Sequence, residues 1–347
     1  MVADSGVYSG HNEFVGTRID VRSGSYASAF VQMGWPAARY DLIEMEDDYF
    51  PDYSASKDYF AAAHGTHVSS LIFGETAGIL SDGTLLALDV VYEDKHTDGS
   101  LDPIGSRPDV IASILATTEL AKTAQIDFLN LSMEYAGTYF NESTDRGTER
   151  AVHESTKGGG IGVIVAAGNK GLDYSEIYAS DTPTCTEAEW DEASVSERTR
   201  CYALEFDRKE LDLAIYHNDN LRKNYIMVAS VNDDRTIAGN SNKPGDHQKI
   251  QERFIAAPGV NLDVASHKVA DGYTVSSGTS FAAPLVTAAA GAVKSKFTSL
   301  SSAAVLQILL DTADRSFNGY NPADHGMGIL NVEAALNVNP VDYIGIN

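Results

Sequence analysis

The sequence predicts an α/β fold of three layers, a central mostly parallel sheet flanked by helices. Apolar runs rich in β-formers recur at Thr84 to Val91, Ile126 to Leu131, Gly162 to Ala167 and Tyr225 to Val231. Such unbroken runs read as strands buried on both faces. Helical candidates alternate with them, at His67 to Phe73, Asp109 to Thr123 and Thr148 to Lys157. Strand–helix alternation of this kind favours parallel strands with helices on both sides, and chemistry then gathers beyond the carboxyl ends of the strands. A third observation is the Ala-rich run from Phe281 to Val293, interrupted by Pro284, Thr287 and Gly291. It is shorter than the ~20 residues of a membrane-spanning helix, so it reads as a buried helix.

The remaining segments fit around this frame as one domain over residues 1–347. Residues 171–223 break the rhythm with a long charged stretch, read as a surface insertion. It holds the only two cysteines, Cys185 and Cys201, 16 positions apart. A disulfide between them is the favoured reading over two reduced thiols; it would constrain the unfolded loop by ~3 kcal/mol and implies an oxidising compartment. Ser301 to Asn337 reads as a helix, a Gly-rich loop and a short helix at Asn331 to Leu336.

Composition narrows the function classes. Against 25 Lys and Arg stand 49 Asp and Glu, a formal charge of −24, with 43% hydrophobic residues. That much apolar content excludes an acidic disordered chain. The charge argues against nucleic acid and anionic membranes as partners. The N-terminal residues lack the basic and apolar regions of a signal peptide, and the chain as given reads as soluble.

Four short constellations carry chemistry. Gly278-Thr279-Ser280-Phe281-Ala282-Ala283-Pro284 puts a serine at a helix start, beside backbone N–H groups and the positive end of the helix dipole. That position suits an attacking hydroxyl, although an N-cap serine is the commoner use of it. His64-Gly65-Thr66-His67 opens a helix and supplies an imidazole that titrates near working pH. Its two histidines could also serve as metal ligands or pack structurally. Asp4-Ser5-Gly6-Val7, with His11-Asn12-Glu13-Phe14 behind it, is either a turn or an aspartate that orients a histidine. Val165-Ala166-Ala167-Gly168-Asn169 ends a strand on an amide able to donate to an oxyanion, or on a plain turn.

Together, in the order Asp, His, Asn, Ser, these motifs resemble the subtilisin family of serine proteases. The resemblance runs from Asp4 to about Asn337. Leu129-Asn130-Leu131-Ser132, Ala256-Ala257-Pro258-Gly259 and Gly326-Met327-Gly328-Ile329-Leu330-Asn331 also match. It implies a subtilisin-like fold and a serine endopeptidase that forms an acyl-enzyme on Ser280. His64 would be general base and acid, Asp4 would hold its tautomer, and Asn169 with the Ser280 N–H would bind the oxyanion. His67 would be structural. Leu131, Ser132 and Met133 would pair with extended peptide or protein substrate, and Asn169 and Gly168 would form the opposite wall. No catalytic cofactor is implied.

Several features depart from the family pattern. Only Met1, Val2 and Ala3 precede Asp4, too few for an ordinary strand. The chain therefore reads as a fragment whose missing part would hold a signal peptide and an inhibitory propeptide. Glu134 stands where glycine is usual in the pocket wall; it either favours basic or small side chains before the cleaved bond or points to solvent. The insertion and Ile237-Ala238-Gly239-Asn240-Ser241-Asn242 are similar to passengers of bacterial autotransporters, implying a secreted or cell-surface protein exported by a bacterium. Glu46-Asp47-Asp48 lacks a recognisable ligand spacing and reads as a solvated acidic loop, with a structural calcium ion, as many subtilases bind, the alternative. Two other readings stay open: a catalytically silent subtilase serving as a binding or adhesion module, and a metal-dependent hydrolase built on His64 and His67.

Overall fold

Parallel strands covered on both faces must be apolar at every position, and three segments meet that demand without a break. In the computed structural model, β6 (Phe128–Leu131), β7 (Gly162–Ala166) and β8 (Tyr225–Val231) are buried at every residue. The structure describes residues 2–4, 7–15, 18–22, 61–80, 84–89, 93–95, 101–103, 126–132, 160–174 and 222–346. The expected helices at 109–123 and 148–157, both cysteines, Glu46-Asp47-Asp48, Met133, Glu134 and most of the 171–223 insertion lie outside them.

Ahead of those strands come β1 (Val2–Asp4), β2 (Arg18–Arg22), helix α1 (Ala61–Phe73), β3 (Thr84–Asp89) and the small antiparallel pair β4 (Glu93–Lys95) and β5 (Leu101–Pro103). After them follow α2 (Gln248–Gln251), β9 (Phe254–Pro258), the hairpin β10 (Leu262–Ala265) and β11 (Tyr273–Ser276), and α3 (Thr279–Lys296). Helices α4 (Ser302–Asp311), α5 (Pro322–His325) and α6 (Val332–Leu336) follow, and a short 3-10 helix at Pro340–Tyr343 comes after them.

The main sheet runs β2-β3-β1-β6-β7-β8-β9, and every adjacent pair is parallel. β1 has three residues, yet it pairs with β3 on one side and β6 on the other. Chain order reverses across it, so β1 and β6 form the switch point where open α/β sheets hold their sites.

Helix α1 begins six residues earlier than its apolar pattern indicates, because Ala61-Ala62-Ala63 are strong helix formers without a hydrophobic period. His64 consequently sits inside the first turns. The run at 281–293 is the heart of α3, which is buried nearly all round. Phe281 and Ala288 join a cluster with Val2, Val68, Leu71 and Val264. Ala282, Ala283, Val286 and Val293 join a second cluster with Ile164, Val228, Leu306 and Leu309. Alanines let α3 approach neighbours on both sides, while each buried Val, Ile or Leu contributes roughly 1.5–3 kcal/mol. The Ser301 side chain caps α4 by accepting from Ala304 N, and Asn331 caps α6 by accepting from Ala334 N.

Candidate active site

Asp4 ends β1 at the switch point and is almost wholly buried. A buried carboxylate needs partners, and Asp4 Oδ1 lies 2.8 Å from His64 Nδ1. The Asp4 side chain is 2% exposed, while His64 keeps 38% of its surface. Burial disfavours a charged ring, but the charge of Asp4 and its hydrogen bond together outweigh that, and His64 titrates above the ordinary histidine range. The imidazole ring also lies tilted against the Phe281 ring, with centroids 5.5 Å apart.

Phe281 follows Ser280, the second residue of α3, which is 7% exposed. The first N–H groups of a helix have no partner within it, and here the N-cap is Gly278, which has no side chain to offer. Asn169 supplies what is missing. Its Oδ1 accepts from Thr279 N at 2.9 Å and from Thr279 Oγ1 at 3.1 Å. Thr279 Oγ1 in turn accepts from Gly168 N at 3.1 Å. These bonds assign the acceptor end of the Asn169 carboxamide to Thr279 and make Nδ2 its donor end.

Glycine is required where these segments meet. Gly278 has φ 144°, and an added Cβ would lie 3.1 Å from Asn169 Oδ1. Gly278 N also donates to Gly259 O at 2.7 Å. A Cβ on Gly259 would come within 2.9 Å of Gly278 O, which accounts for the glycine after Ala256-Ala257-Pro258.

A further network braces the β10–β11 hairpin against the turn that follows α1. Glu13 accepts from Thr76 N at 3.0 Å, from Ala77 N at 3.1 Å and from the Tyr273 hydroxyl of β11. Burial raises its pKa, yet these donors prevail and hold the carboxyl below its usual range. His11 Nδ1 accepts from Glu13 N at 3.0 Å, and its Nε2 lies 2.7 Å from Gly272 O. The His11 to Phe14 segment thus ties the Asp4 region to the strand that leads into Ser280.

The second histidine of the motif has different company. The His67 ring lies 5.8 Å from that of His267, and 6.4 Å from Phe281. Burial, then the charges of His267 and His64, push its pKa down to about 4. Among the described residues no group of three or more His, Cys, Asp or Glu is arranged to hold a metal. Among the same residues no helix is long and apolar enough to cross a membrane.

Leu131 and Ser132 stand at the carboxyl end of β6, next to β1 and β7. Gly168 and Asn169 stand just beyond β7. Asn130 belongs to the same region: its Nδ2 donates to Ser132 Oγ at 2.8 Å and its Oδ1 accepts from Thr287 Oγ1 at 2.9 Å, joining β6 to α3. Of the expected residues, Asp4, His64, Gly168, Asn169 and Ser280 are therefore linked through α1 and the start of α3. Thr279, Thr287 and Asn242, which the sequence reading met only inside longer runs and gave no role, complete the surroundings: Thr279 bonds Asn169, Thr287 bonds Asn130 and Asn242 bonds Ala167.

A parallel sheet with its aspartate at the switch point, and a serine at the head of a buried helix, defines a subtilisin-like α/β protein. The chain belongs to the subtilase family, the class of subtilisin-like serine peptidases, whose family model matches residues 1–329. It is similar to a subtilisin-like protease 1 of Pseudogymnoascus destructans, 27% identical over 285 residues, covering 82% of this chain and 48% of that protein. A subtilisin-like protease 2 of the same organism is 33% identical over 174 residues, 50% of this chain and 32% of the relative. The chain thus spans about a third to a half of the length of these two curated relatives. Among solved structures it resembles the patellamide maturation protease PatA, at a TM-score of 0.59 and 22% identity, over 100% of this chain and 96% of that one.

Proposed function

We propose that this chain is a serine endopeptidase that cleaves peptide bonds through an acyl-enzyme on Ser280. The observation that carries the reading is the 2.8 Å contact of Asp4 Oδ1 with His64 Nδ1, made by a ring that also packs on the residue following Ser280. Asp4 keeps the Nδ1 proton in place, so Nε2 carries the lone pair that accepts the Ser280 proton. Ser280 Oγ attacks the carbonyl carbon, and the oxyanion accepts from Asn169 Nδ2 and from the Ser280 N–H. His64 then delivers its proton to the leaving amine. Water enters, loses a proton to the same nitrogen as its oxygen bonds the acyl carbon, and the proton then passes to Ser280 Oγ as the acyl–oxygen bond breaks and the acid leaves.

In this reading extended substrate pairs with the segment Leu131-Ser132-Met133 where it leaves the sheet, beyond the point at which Leu131 still lies between β1 and β7, and Gly168 and Asn169 supply the facing wall. Main-chain pairing tolerates many sequences, because backbone groups are common to all peptides. Glu134 tilts the preference towards basic or small side chains, which a peptide-library profile checks; a large apolar preference overturns that part. The enzyme acts outside the cell or at its surface, in keeping with the oxidising setting that a Cys185–Cys201 disulfide requires.

A fluorophosphonate probe tests the mechanism. It labels the parent protein and leaves Ser280→Ala unlabelled, and casein hydrolysis disappears with the same substitution. A folded parent that neither reacts with the probe nor cleaves casein overturns the proposal in favour of a silent binding module.

A further inference from the structure

Asn169 stands in a segment without regular structure, 167–172, so something outside that segment must hold its shape. Loop carbonyls and N–H groups this close to the core need partners, and the partners determine where the loop lies. Asn242 provides them. Its side chain is fully buried, and Nδ2 donates to Ala167 O at 2.8 Å. Its Oδ1 accepts from Lys170 N at 3.2 Å and from Leu172 N at 2.9 Å. Its own backbone N–H donates to Gly168 O at 2.9 Å. One residue therefore grips the chain two positions and one position before Asn169, and one and three positions after it.

We propose that Asn242 is a positioning residue for the oxyanion donor, a role that rests on reading Asn169 as that donor. The carboxamide of Asn169 is located at two ends. Thr279 holds its oxygen from the α3 side, and Asn242 holds its backbone from beneath. Both lone-pair directions of the Asn242 oxygen are used, so a shift of this amide moves Lys170 and Leu172 together. Transition-state stabilisation by a preset donor is steep in distance, and a misplacement of about 1 Å costs about 10²-fold in rate. A change at Asn242 then reaches turnover without touching substrate.

Removing the side chain leaves the fold its other ties here. Gly171 N still donates to Asn240 O, Lys243 N to Leu172 O and Tyr174 N to Lys243 O, while the Tyr174 hydroxyl still donates to Ala167 O. The backbone bond from Asn242 N to Gly168 O also survives; what is lost are the side-chain bonds to Ala167, Lys170 and Leu172 on either side of Asn169.

The test is a double-mutant cycle on parent, Asn242→Ala, Asn169→Ala and the double variant, with Asn242→Asp alongside. Asn242→Asp keeps the oxygens for Lys170 and Leu172 but loses the donor to Ala167. Active sites are counted by exhaustive fluorophosphonate labelling, and rates are read on a peptide p-nitroanilide chosen from the parent's library profile. For Asn242→Ala, kcat per labelled site falls about 10- to 100-fold with KM within about threefold, and Asn242→Asp lies between it and the parent. In the Asn169→Ala background the same substitution costs less than about twofold, because the group it positions is gone. An equal loss in both backgrounds, or an unchanged kcat per site, overturns the role of Asn242 alone. An Asn169→Ala protein that turns over like the parent overturns the oxyanion assignment and Asn242 with it. Should Asn242→Ala fail to fold, Asn242→Asp carries the same comparison.

Discussion

Asp4 and His64 meet through a 2.8 Å hydrogen bond across 60 positions of sequence, one side chain buried at a strand end and the other partly exposed. The bond joins the end of the first strand to the first turns of α1. An imidazole pinned at Nδ1 can present only Nε2 to a hydroxyl, and the carboxylate stabilises the ring once it is charged.

Replacing Asp4 by asparagine keeps the shape and removes both the charge and the tautomer preference. In chymotrypsin-like triads the same exchange lowers turnover about 10⁴-fold. A loss of at least about 10³-fold in kcat/KM is expected for Asp4→Asn, measured against titrated sites. A loss below tenfold contradicts the assignment of Asp4.

The raised pKa of His64 makes a prediction with a definite sign. A general base must be neutral, so kcat/KM climbs with pH through the His64 value, on a limb centred above the ordinary 6.5. In Asp4→Asn the residual activity has this limb at lower pH. The stability effect runs with the proton: the folded pKa lies above the unfolded one, so the stabilisation of charged His64 by Asp4 is complete below about 6.5 and fades as pH rises through the folded value. Rate profiles of the two proteins check the first part, and denaturant unfolding across the same pH range checks the second.

His67 acts in the opposite direction. Its pKa is pushed down from an ordinary 6.5 to about 4, so between these values the unfolded chain binds a proton that the folded one refuses. Stability therefore falls as pH drops through that window. The difference of 2.5 units sets an upper bound of about 3 kcal/mol, and partial exposure of the ring trims it. Urea unfolding at pH 7 and pH 4.5 should show a smaller acid loss for His67→Gln than for the parent. Identical losses in the two proteins would place the acid sensitivity elsewhere.

Gly278→Ala tests the crowding between α3 and the Asn169 loop. A methyl group there meets Asn169 Oδ1 at 3.1 Å on a backbone with φ 144°. Both the strain and the contact push Asn169 away from Thr279. A destabilisation of about 1–3 kcal/mol is expected, together with a fall in kcat of more than about tenfold at nearly constant KM. Thermal unfolding and steady-state kinetics read the two effects separately.

Much of the architecture was legible because parallel strands write themselves as unbroken apolar runs. β6, β7 and β8 stand within two residues of the expected bounds. β2, β9 and the β10–β11 hairpin did not show: Arg18–Arg22 alternates with charge, Phe254–Pro258 is short and Ala-rich, and β11 keeps its side chains largely exposed. The start of α1 was missed because three alanines carry no period, and helix propensity alone set the boundary.

From the sequence alone came the chemistry of the site: a serine at a helix start, a histidine on a helix, an aspartate and an asparagine closing strands. Each leaves a local signature of small residues and turn formers. Tertiary structure alone selected the partners that aim these groups, namely Thr279 for the Asn169 oxygen, Thr287 for Asn130, and Asn242 for the 167–172 loop. Their hydrogen bonds span 70 to 157 positions, from Leu172–Asn242 to Asn130–Thr287. Such pairings depend on strand order and on how α3 seats against the sheet, which no local pattern of residues encodes.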